Sequence, residues 1–219
     1  MPNMNDYTAG KAWKKERQQI IIEAGYHLFS QRGIEQVLMV EVAKAAGVGH
    51  ATLNRYFHSK LELVVAASEW AWDQYITAHN HSVLKEELDR LKGCEYMRFF
   101  MESFIDLYRN HNDLLRFNYN FNNYFRYAAG NEAQARPMME IVRKLEEQFH
   151  IAYERGMRDG TLNPEISEET MFSSLFHIML AAVTRYAVGL VYIPEGSSDP
   201  ESELIMLKDL LLSRYVKQC

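Results

Sequence analysis

Asn54 and Arg55 carry the most specific chemistry in this sequence. They lie in residues 50–57, which read HATLNRYF. An arginine guanidinium can donate to guanine O6 and N7, and an asparagine amide can pair with adenine N6 and N7. Ala51, near the start of the same segment, is small enough to let the backbone approach base edges closely. These residue types indicate a segment that contacts nucleic-acid bases.

Two short helical patterns would position these side chains. The first covers residues 40–46 and ends at Gly47, because glycine adopts the left-handed conformation without a steric penalty. In the second, Leu53 and Phe57 are four residues apart and share a face that can pack on the first helix. Two short helices joined by a glycine-containing turn are typical of a helix-turn-helix, whose second helix enters the major groove of DNA. The pattern also fits a helical hairpin with a polar outer face and no role in DNA binding.

Several separate pieces of the sequence resemble one known family. They are IIIEAGYHLF at 20–29, Gly33, AKAAGV at 43–48, TL at 52–53 and YFHSKLEL at 56–63. In this order and spacing they closely resemble the DNA-binding domain of the tetracycline-repressor (TetR-like) family, over roughly residues 13–65. The resemblance implies a DNA-binding transcription regulator that works as a homodimer.

The resemblance also implies which side chains contact DNA. They are His50, Ala51, Thr52, Asn54, Arg55, Tyr56, Lys60 and Lys44. Asn54 and Arg55 are the expected base readers, and Ala51 lets the start of the helix approach the bases. The residues expected mainly to position the helix on phosphates are His50, Thr52, Tyr56 and Lys60. The sequence departs from the family at Val37 and Leu38, where the family usually has a Ser or Thr that caps the first short helix. It also departs at Gly49, where the family has a polar cap, and at Asn54, where the family often has Tyr.

Charge is distributed unevenly along the chain, whose formal net charge is −5. Residues 1–60 carry eight Lys and Arg against five Asp and Glu, a net charge of +3, whereas the rest carries sixteen against twenty-four, a net charge of −8. The basic residues Lys11, Lys14, Lys15 and Arg17 could reach a phosphate strand or the minor groove, or form a solvated tail. The asymmetry indicates a small basic DNA-binding part on an acidic body.

Composition predicts a helical, cytoplasmic protein. The 219 residues are 47% hydrophobic, with only five prolines and eleven glycines. No apolar run is long enough to span a bilayer, and the N-terminus lacks the apolar core of a signal peptide. The two cysteines, Cys94 and Cys219, do not suggest a disulfide framework, so we expect a reducing compartment.

Helical periodicity extends along the whole chain and predicts an all-α fold of about nine helices. A three-helix helix-turn-helix domain is expected at residues 1–62, and a larger helical ligand-binding and dimerisation domain at 63–219. The helix that begins at Lys60 would be the only covalent path between them, with Ser59 and Glu62 forming a capping box at its start. Further helices are predicted near 11–31, 94–110, 112–129, 133–158, 167–191 and 201–216.

Aromatic residues are concentrated in the larger domain. The candidates for lining an effector pocket are Phe104, Tyr108, Phe117, Phe121, Tyr124 and His177. Ligand pockets are lined mainly by apolar and aromatic groups with a few polar anchors, here Tyr108, Tyr124 or His177. An apolar or aromatic small molecule is therefore the expected effector. The alternative is that each aromatic side chain belongs to the core.

The last two predicted helices have apolar faces suited to dimerisation. The residues expected at the interface are Phe172, Phe176, Leu180, Leu204, Leu207 and Leu211. Two such helices can form a four-helix bundle with a second copy of the chain. Alternatively they simply close the core of one protomer.

The sequence contains none of the common catalytic or cofactor motifs. HExxH, a P-loop, GxGxxG and a nucleophile elbow are all missing, so neither a catalytic residue nor a metal site or cofactor is predicted. We therefore interpret the sequence as a regulator, most simply a repressor that a small molecule releases from a palindromic double-stranded DNA operator, with no membrane partner. The alternatives are a helical enzyme with a buried apolar active site, a structural DNA-binding protein and a ligand-independent regulator.

Overall fold

The computed structural model describes residues 4–82, 85–128, 131–191, 199–217 and 219. Within these residues the chain forms ten helices and no strand, apart from one isolated antiparallel bridge between Leu162 and Val216. This confirms the predicted all-α fold. In the same described parts of the chain, none of the helices is both long and apolar enough to cross a membrane.

The helices follow the predicted order, with one addition. They are α1 (Met4–Arg32), α2 (Met39–Ala45), α3 (His50–Tyr56), α4 (Lys60–Ser82), α5 (Lys85–Arg90), α6 (Gly93–Asn110), α7 (Asn112–Tyr127), α8 (Glu132–Asp159), α9 (Glu168–Ala187) and α10 (Pro200–Tyr215). The short helix α5 was not predicted, because six residues are too few to show a helical period.

Residue packing divides the chain into two compact units. Unit 1 comprises Met1–Asp73 and Asn120–Met138, and unit 2 comprises Gln74–Tyr119 and Met139–Cys219. Because α7 and α8 also continue from one unit into the other, α4 is not the only covalent path between them. The predicted boundary between residues 62 and 63 separates a DNA-binding domain from a ligand-binding domain. The division by packing does not test that functional boundary.

The core of unit 1 forms because α1 buries one helical stripe. Ile21 and Phe29 have no exposed surface, whereas Ile20 is 43% exposed, so Ile21 is the residue that faces inward. Leu53 of α3 is also fully buried and Phe57 is 4% exposed, as their spacing predicts. Burial of such side chains contributes about 1.5–3 kcal/mol each and fixes the helix-turn-helix on α1.

Helix α4 begins with the expected cap in a modified form. The Glu62 N–H donates to Ser59 Oγ at 3.1 Å, as a capping box requires. The Glu62 carboxylate, however, accepts from the N–H of His58 at 2.8 Å rather than from that of Ser59. Both bonds stabilise the corner between α3 and α4 by occupying N–H groups at the start of the helix.

Aromatic rings fill the centre of unit 2. The Phe149 ring lies 5.4 Å from Phe100 and 5.4 Å from Phe172, both in edge-to-face geometry. Phe104 contacts Phe176 at 6.2 Å, which joins α6 to α9. Each such pair stabilises the fold by about 0.5–1.5 kcal/mol beyond the contribution of the surface it buries. These contacts join α6, α8 and α9 in one aromatic core.

The start of α6 is fixed by backbone contacts from distant parts of the chain. A Cβ atom on Gly93 would lie 2.1 Å from the Cα of Gly156, so the two backbones touch. Asp159 Oδ2 accepts from the Gly93 N–H at 2.7 Å, and Thr161 Oγ1 accepts from the Cys94 N–H at 3.1 Å. These two hydrogen bonds provide acceptors for the first N–H groups of α6, which have no acceptor within the helix.

The two cysteines form a disulfide, contrary to what their number and spacing suggested. Cys94 in the first turn of α6 is bonded to Cys219, with a Cα–Cα distance of 5.7 Å. Next to it, the Lys217 N–H donates to the Thr161 carbonyl and the Asn163 N–H donates to the Tyr215 carbonyl, each at 2.8 Å. The C-terminal segment is thereby held on the loop between α8 and α9. Sequence spacing could not predict this pairing because it depends on how the helices pack.

Candidate nucleic-acid interface

The turn between α2 and α3 has the geometry of a Schellman motif. The Val48 N–H donates to the Ala43 carbonyl at 2.9 Å, and the Gly47 N–H donates to the Lys44 carbonyl at 3.2 Å. Gly47 has a φ of +64°, which disfavours any residue with a Cβ. The turn therefore sets the direction of α3 through residues adjacent in sequence.

Glu41 supplies one half of a capping box at the start of α2, and the half that an oxygen on residue 38 would supply is missing. Leu38 occupies the N-cap of α2, where its side chain has no oxygen and is 61% exposed. Glu41 Oε2 instead accepts from the Leu38 N–H at 2.7 Å, and Oε1 accepts from Arg32 Nη1 at 2.8 Å. The bonds from Arg32 and then from Leu38 lower the pKa of Glu41, so the carboxylate is ionised at neutral pH. This half of the capping box thus stabilises α2 despite the departure from the family pattern.

Helix α3 presents the expected DNA-contacting side chains to solvent. His50, Ala51, Asn54 and Arg55 are exposed. Gly49 occupies the N-cap and provides no side-chain bond, leaving the first N–H groups of α3 available. Helical spacing places Asn54 beside His50, with Asn54 Nδ2 and His50 Nδ1 3.5 Å apart. The geometry therefore brings an amide and a guanidinium to one exposed helix surface.

Thr52 and Tyr56 differ from those four residues in being half-buried. The Arg55 guanidinium carbon lies 5.8 Å from the centre of the Tyr56 ring, within the range of a cation–π contact. Tyr56 thus contacts one of the two expected base readers directly. Lys44 on α2 is exposed.

Lys60 makes contacts that its sequence position did not reveal. Its Nζ donates to the Glu35 carbonyl at 3.2 Å and lies 5.6 Å from the centre of the Tyr124 ring. Partial burial lowers the pKa of Lys60, while Glu35 and Glu41 act to raise it. Glu35 and Tyr124 also border a cavity of about 280 Å³ in unit 1. The expected phosphate contact of Lys60 stays a prediction.

The basic residues of α1 lie one helical turn beyond the folded core. Lys14 and Lys15 are exposed, and the Arg17 guanidinium carbon lies 4.4 Å from the centre of the Trp13 ring. The side chain of Lys11 is outside the described residues. Since Trp13 is 53% exposed, this part of α1 offers an aromatic and cationic surface to a partner.

The six residues expected to line an effector pocket are distributed over both units. Phe121 and Tyr124 belong to unit 1, whereas Phe104, Tyr108, Phe117 and His177 belong to unit 2. Phe104 is 4% exposed and Phe117 is fully buried, as residues of a packed core are. Tyr108 contacts the Tyr186 ring at 6.3 Å. The assignment of these six residues to one pocket stays a prediction.

A cavity of about 530 Å³ lies between α8 and α9 in unit 2. His177 is the one residue of the predicted pocket that borders it. The complete lining is Val142, Glu146, Phe149, Glu168, Glu169, Phe172, Ser173, Phe176 and His177. Phe172 and Phe176 border this cavity and are also predicted dimer residues, and that dimer assignment stays a prediction.

The residues expected at a dimer interface differ in their exposure. Leu204, Phe172 and Phe176 are between 1% and 9% exposed, and Leu180, Leu207 and Leu211 are half-buried. The exposed apolar side chains of α9 and α10 are instead Ile178 at 42%, Met206 at 67% and Leu210 at 67%. The positions 206 and 210 precede the predicted 207 and 211 by one residue and share the same spacing of four. The spacing of four between Met206 and Leu210 is the sequence signal that could have identified this exposed apolar surface.

The N-terminal part of the chain matches a known protein family. Residues 21–67 match the family model described as bacterial regulatory proteins, tetR family. An HTH-type transcriptional regulator of Staphylococcus aureus (strain USA300) is 33% identical over 86 residues, covering 35% of this chain and 46% of that protein. The chain thus spans about half the length of the curated relatives it matches.

Solved structures resemble the chain over most of its length. A TetR transcription regulator from Haloarcula marismortui has a TM-score of 0.72 at 14% identity, covering 93% of this chain and 100% of its own. The regulator FadR from Bacillus subtilis, solved in complex with stearoyl-CoA, has a TM-score of 0.65 at 17% identity, covering 90% of this chain and 98% of its own. The chain therefore contains a segment at residues 21–67 that matches the tetR family, and its fold is similar to those of these solved proteins.

Proposed function

We propose that this chain is a DNA-binding transcription regulator, most simply a repressor, whose helix α3 enters the major groove. The observation that carries the proposal is the exposed pair Asn54 and Arg55 on a helix fixed by the Schellman turn at Gly47. The tetR-family match over the same segment supports it, as does the net charge of +3 on residues 1–60. The S. aureus relative is itself named a transcriptional regulator, and that name offers no support for the alternative of a helical enzyme.

Selection from fragmented genomic DNA tests this proposal. We expect an enriched palindromic sequence, and we expect Arg55→Ala to weaken binding to it by about 1–3 kcal/mol while relaxing base preference at one position. Lys60→Ala should weaken binding to all sequences alike if its ammonium contacts phosphate in the complex. The matched control is Glu154→Gln, since Glu154 is exposed on α8 in unit 2. Failure of the selection to enrich any sequence would contradict DNA recognition.

We propose that the regulator is a homodimer formed through α9 and α10. The exposed side chains Ile178, Met206 and Leu210 support this, because large apolar groups on a protein surface favour association. Leu210→Asp should produce monomers with weak operator affinity, while the protomer stays folded because residue 210 faces solvent. Ile151→Asp is the control, since Ile151 is similarly exposed but lies on α8. A wild-type protein that sediments as a monomer at micromolar concentration would contradict the dimer.

We propose that a small molecule bound in unit 2 controls DNA affinity. A solved protein of similar fold holds stearoyl-CoA, and this supports a ligand with an apolar part for the present chain. Linkage requires the effector to bind the DNA-free conformation more tightly, and DNA to weaken effector binding by the same factor. The test is to find a binder by thermal shift and titrate it against the operator complex. A tight binder that leaves operator affinity unchanged would favour the ligand-independent alternative.

We further propose that the protein acts in the cytoplasm, where its DNA target lies. The disulfide between Cys94 and Cys219 would there meet a reducing environment. Cys94 is fully buried, whereas Cys219 is exposed, so a small thiol could attack only from the side of Cys219. Alkylation of free thiols in fresh cell extracts, followed by mass spectrometry, would report the bonded fraction.

A further inference from the structure

The cavity between α8 and α9 combines three aromatic rings with three carboxylates. Among the rings, Phe172 and Phe176 stack with centroids 5.3 Å apart, and Phe172 meets Phe149 at 5.4 Å. We propose that this cavity binds a small organic cation that also carries an apolar or aromatic group. The inference rests on the proposed function and deepens it by naming the class of effector.

The aromatic side of the cavity is rigid. Phe149 is fully buried and supports Phe172 from the core, so Phe172 and Phe176, at 8% and 9% exposed, are the rings that a ligand can reach. Phe172 also lies 6.5 Å from Phe100, and Phe176 lies 6.2 Å from Phe104, so the aromatic core holds both rings in place. Ring faces attract cations through their quadrupole, and fixed rings lose little conformational entropy when a ligand binds.

The charged side of the cavity has a single sign. Glu146 comes from α8, and Glu168 and Glu169 come from the first turn of α9. Glu168 Oε1 lies 2.9 Å from His150 Nδ1, whereas Glu146 and Glu169 form no ion pair with any residue that the structure describes. Two carboxylates are thus available to a ligand. Both belong to exposed residues, so each contributes the modest attraction of a solvated charge, and the two act together on one cation.

Nearby basic side chains do not neutralise this charge. Arg143 on α8 is engaged with Glu140 at 2.8 Å and with Glu147. His177, the remaining polar group besides Ser173, has its Nδ1 3.3 Å from Ser173 Oγ. An anionic ligand would therefore be repelled, while a neutral apolar ligand would leave two carboxylates unused. The volume of about 530 Å³ falls within the range of small-molecule sites.

Three probes of similar size separate charge from shape. We would titrate the full chain by calorimetry with benzyltrimethylammonium, with neopentylbenzene as its uncharged carbon isostere, and with phenylacetate as an anion. We expect the cation to bind at least about tenfold more tightly than the isostere, because only the cation gains from both the rings and the carboxylates. Phenylacetate should not bind detectably.

Substitutions then assign the effect to this cavity. Glu146→Gln and Glu169→Gln should each weaken the cation about fivefold and leave the isostere unchanged. Phe176→Leu retains an apolar side chain without a ring face, so it should weaken the cation more than the isostere. Glu154→Gln is the matched control, because Glu154 is an exposed carboxylate of α8 that does not line the cavity.

Each outcome bears on one proposal only. Equal binding of the cation and its isostere, or no loss of affinity in the Glu variants, would overturn the cation site while leaving DNA recognition intact. Absence of binding by all three probes would also overturn the cation site in the wild-type protein and leave DNA recognition intact. If a second copy of the chain fills the cavity, the Leu210→Asp monomer should bind the cation where the wild type does not. Cation binding without any enriched DNA would instead leave the cavity a cation site and contradict the proposed function.

Discussion

The helix-turn-helix of unit 1 is stabilised by contacts between residues close in sequence, whereas the α6–α8 junction of unit 2 is stabilised by contacts between residues far apart in sequence. The Schellman turn is closed by hydrogen bonds within residues 43–48. The junction depends on Gly93 touching Gly156 and on the bond from the Gly93 N–H to Asp159, which lies 66 residues away. Local contacts are specified by neighbouring residue types, whereas the junction exists only once the helices have packed. The two regions should therefore respond differently to equivalent substitutions.

The largest difference is expected between two glycine-to-alanine substitutions. In Gly93→Ala, the new Cβ would lie 2.1 Å from backbone atoms of Gly156, so α6 and α8 must separate. Overpacking against backbone should lower the free energy of unfolding by about 3 kcal/mol or more. In Gly47→Ala, the Cβ meets no atom within 4 Å and only the φ of +64° is strained, at a cost of about 1–2 kcal/mol.

Urea denaturation of both variants measures this contrast. The control is Gly49→Ala, because Gly49 has a φ of −71° and open space around it. Its only expected cost is the weaker N-cap, about 1 kcal/mol or less. If Gly93→Ala were no more destabilising than Gly47→Ala, the close backbone contact would not limit the stability of unit 2.

The disulfide should have the next largest effect. It closes a loop with a sequence separation of 125, which restricts the unfolded chain. Its loss in Cys219→Ser should lower the free energy of unfolding by about 2–4 kcal/mol. Thermal unfolding with and without a phosphine reductant should show a shift for the wild type and none for Cys219→Ser. An equal shift in both proteins would show that the reductant acts elsewhere.

A smaller, pH-dependent effect is expected at Asp159. Burial acts to raise the pKa of Asp159, but hydrogen bonds from Gly93 and Thr161 outweigh it and hold the pKa below its ordinary value. The carboxylate therefore adds stability above the pKa of an unfolded Asp, about 3.9, and this stability is lost as the pH falls through the lowered pKa. Asp159→Ala should cost about 1 kcal/mol at pH 7, because the group is exposed. A difference from wild type that persisted at pH 2 would exclude the charge as its cause.

The smallest effect is expected at Glu41, the equivalent carboxylate of unit 1. Its pKa is also lowered, first by the bond from Arg32, so its contribution has the same sign and is lost at acid pH. Glu41→Gln should lower the melting temperature at pH 7 less than Asp159→Ala does, since an exposed local cap contributes little. Arg32→Gln should reproduce most of the effect. A larger shift than that of Asp159→Ala would reverse the comparison between the two units.

Sequence reasoning performed best where a structural feature depends on adjacent residues. It located the turn at Gly47 and the inward pair Leu53 and Phe57. Each follows from one residue type at one spacing. Only packing selects Ile21 over its neighbour Ile20, because a helical stripe is broader than one residue.

The features that sequence reasoning missed involve residues far apart in the chain. The predicted phosphate contact of Lys60 is untested, and its contact with Tyr124 could not be foreseen because it depends on a segment of α7 that packs into unit 1. Of the residues predicted to line one pocket, Phe104 is buried and His177 borders the α8–α9 cavity, which exists only because α8 packs on α9. Side chains on a helix can be assigned to a face by period, but not to a partner.

The sequence by itself determined the all-α class, the helix-turn-helix and the exposed chemistry of α3. Helical period, glycine conformation and capping act within a few residues, so these features do not depend on the rest of the fold. Only the tertiary structure decided that Cys94 meets Cys219, that Gly93 touches Gly156, and that carboxylates gather around a cavity between α8 and α9. Such contacts arise when packing brings distant segments together, and the distance between two residues in space is not encoded in their separation along the chain.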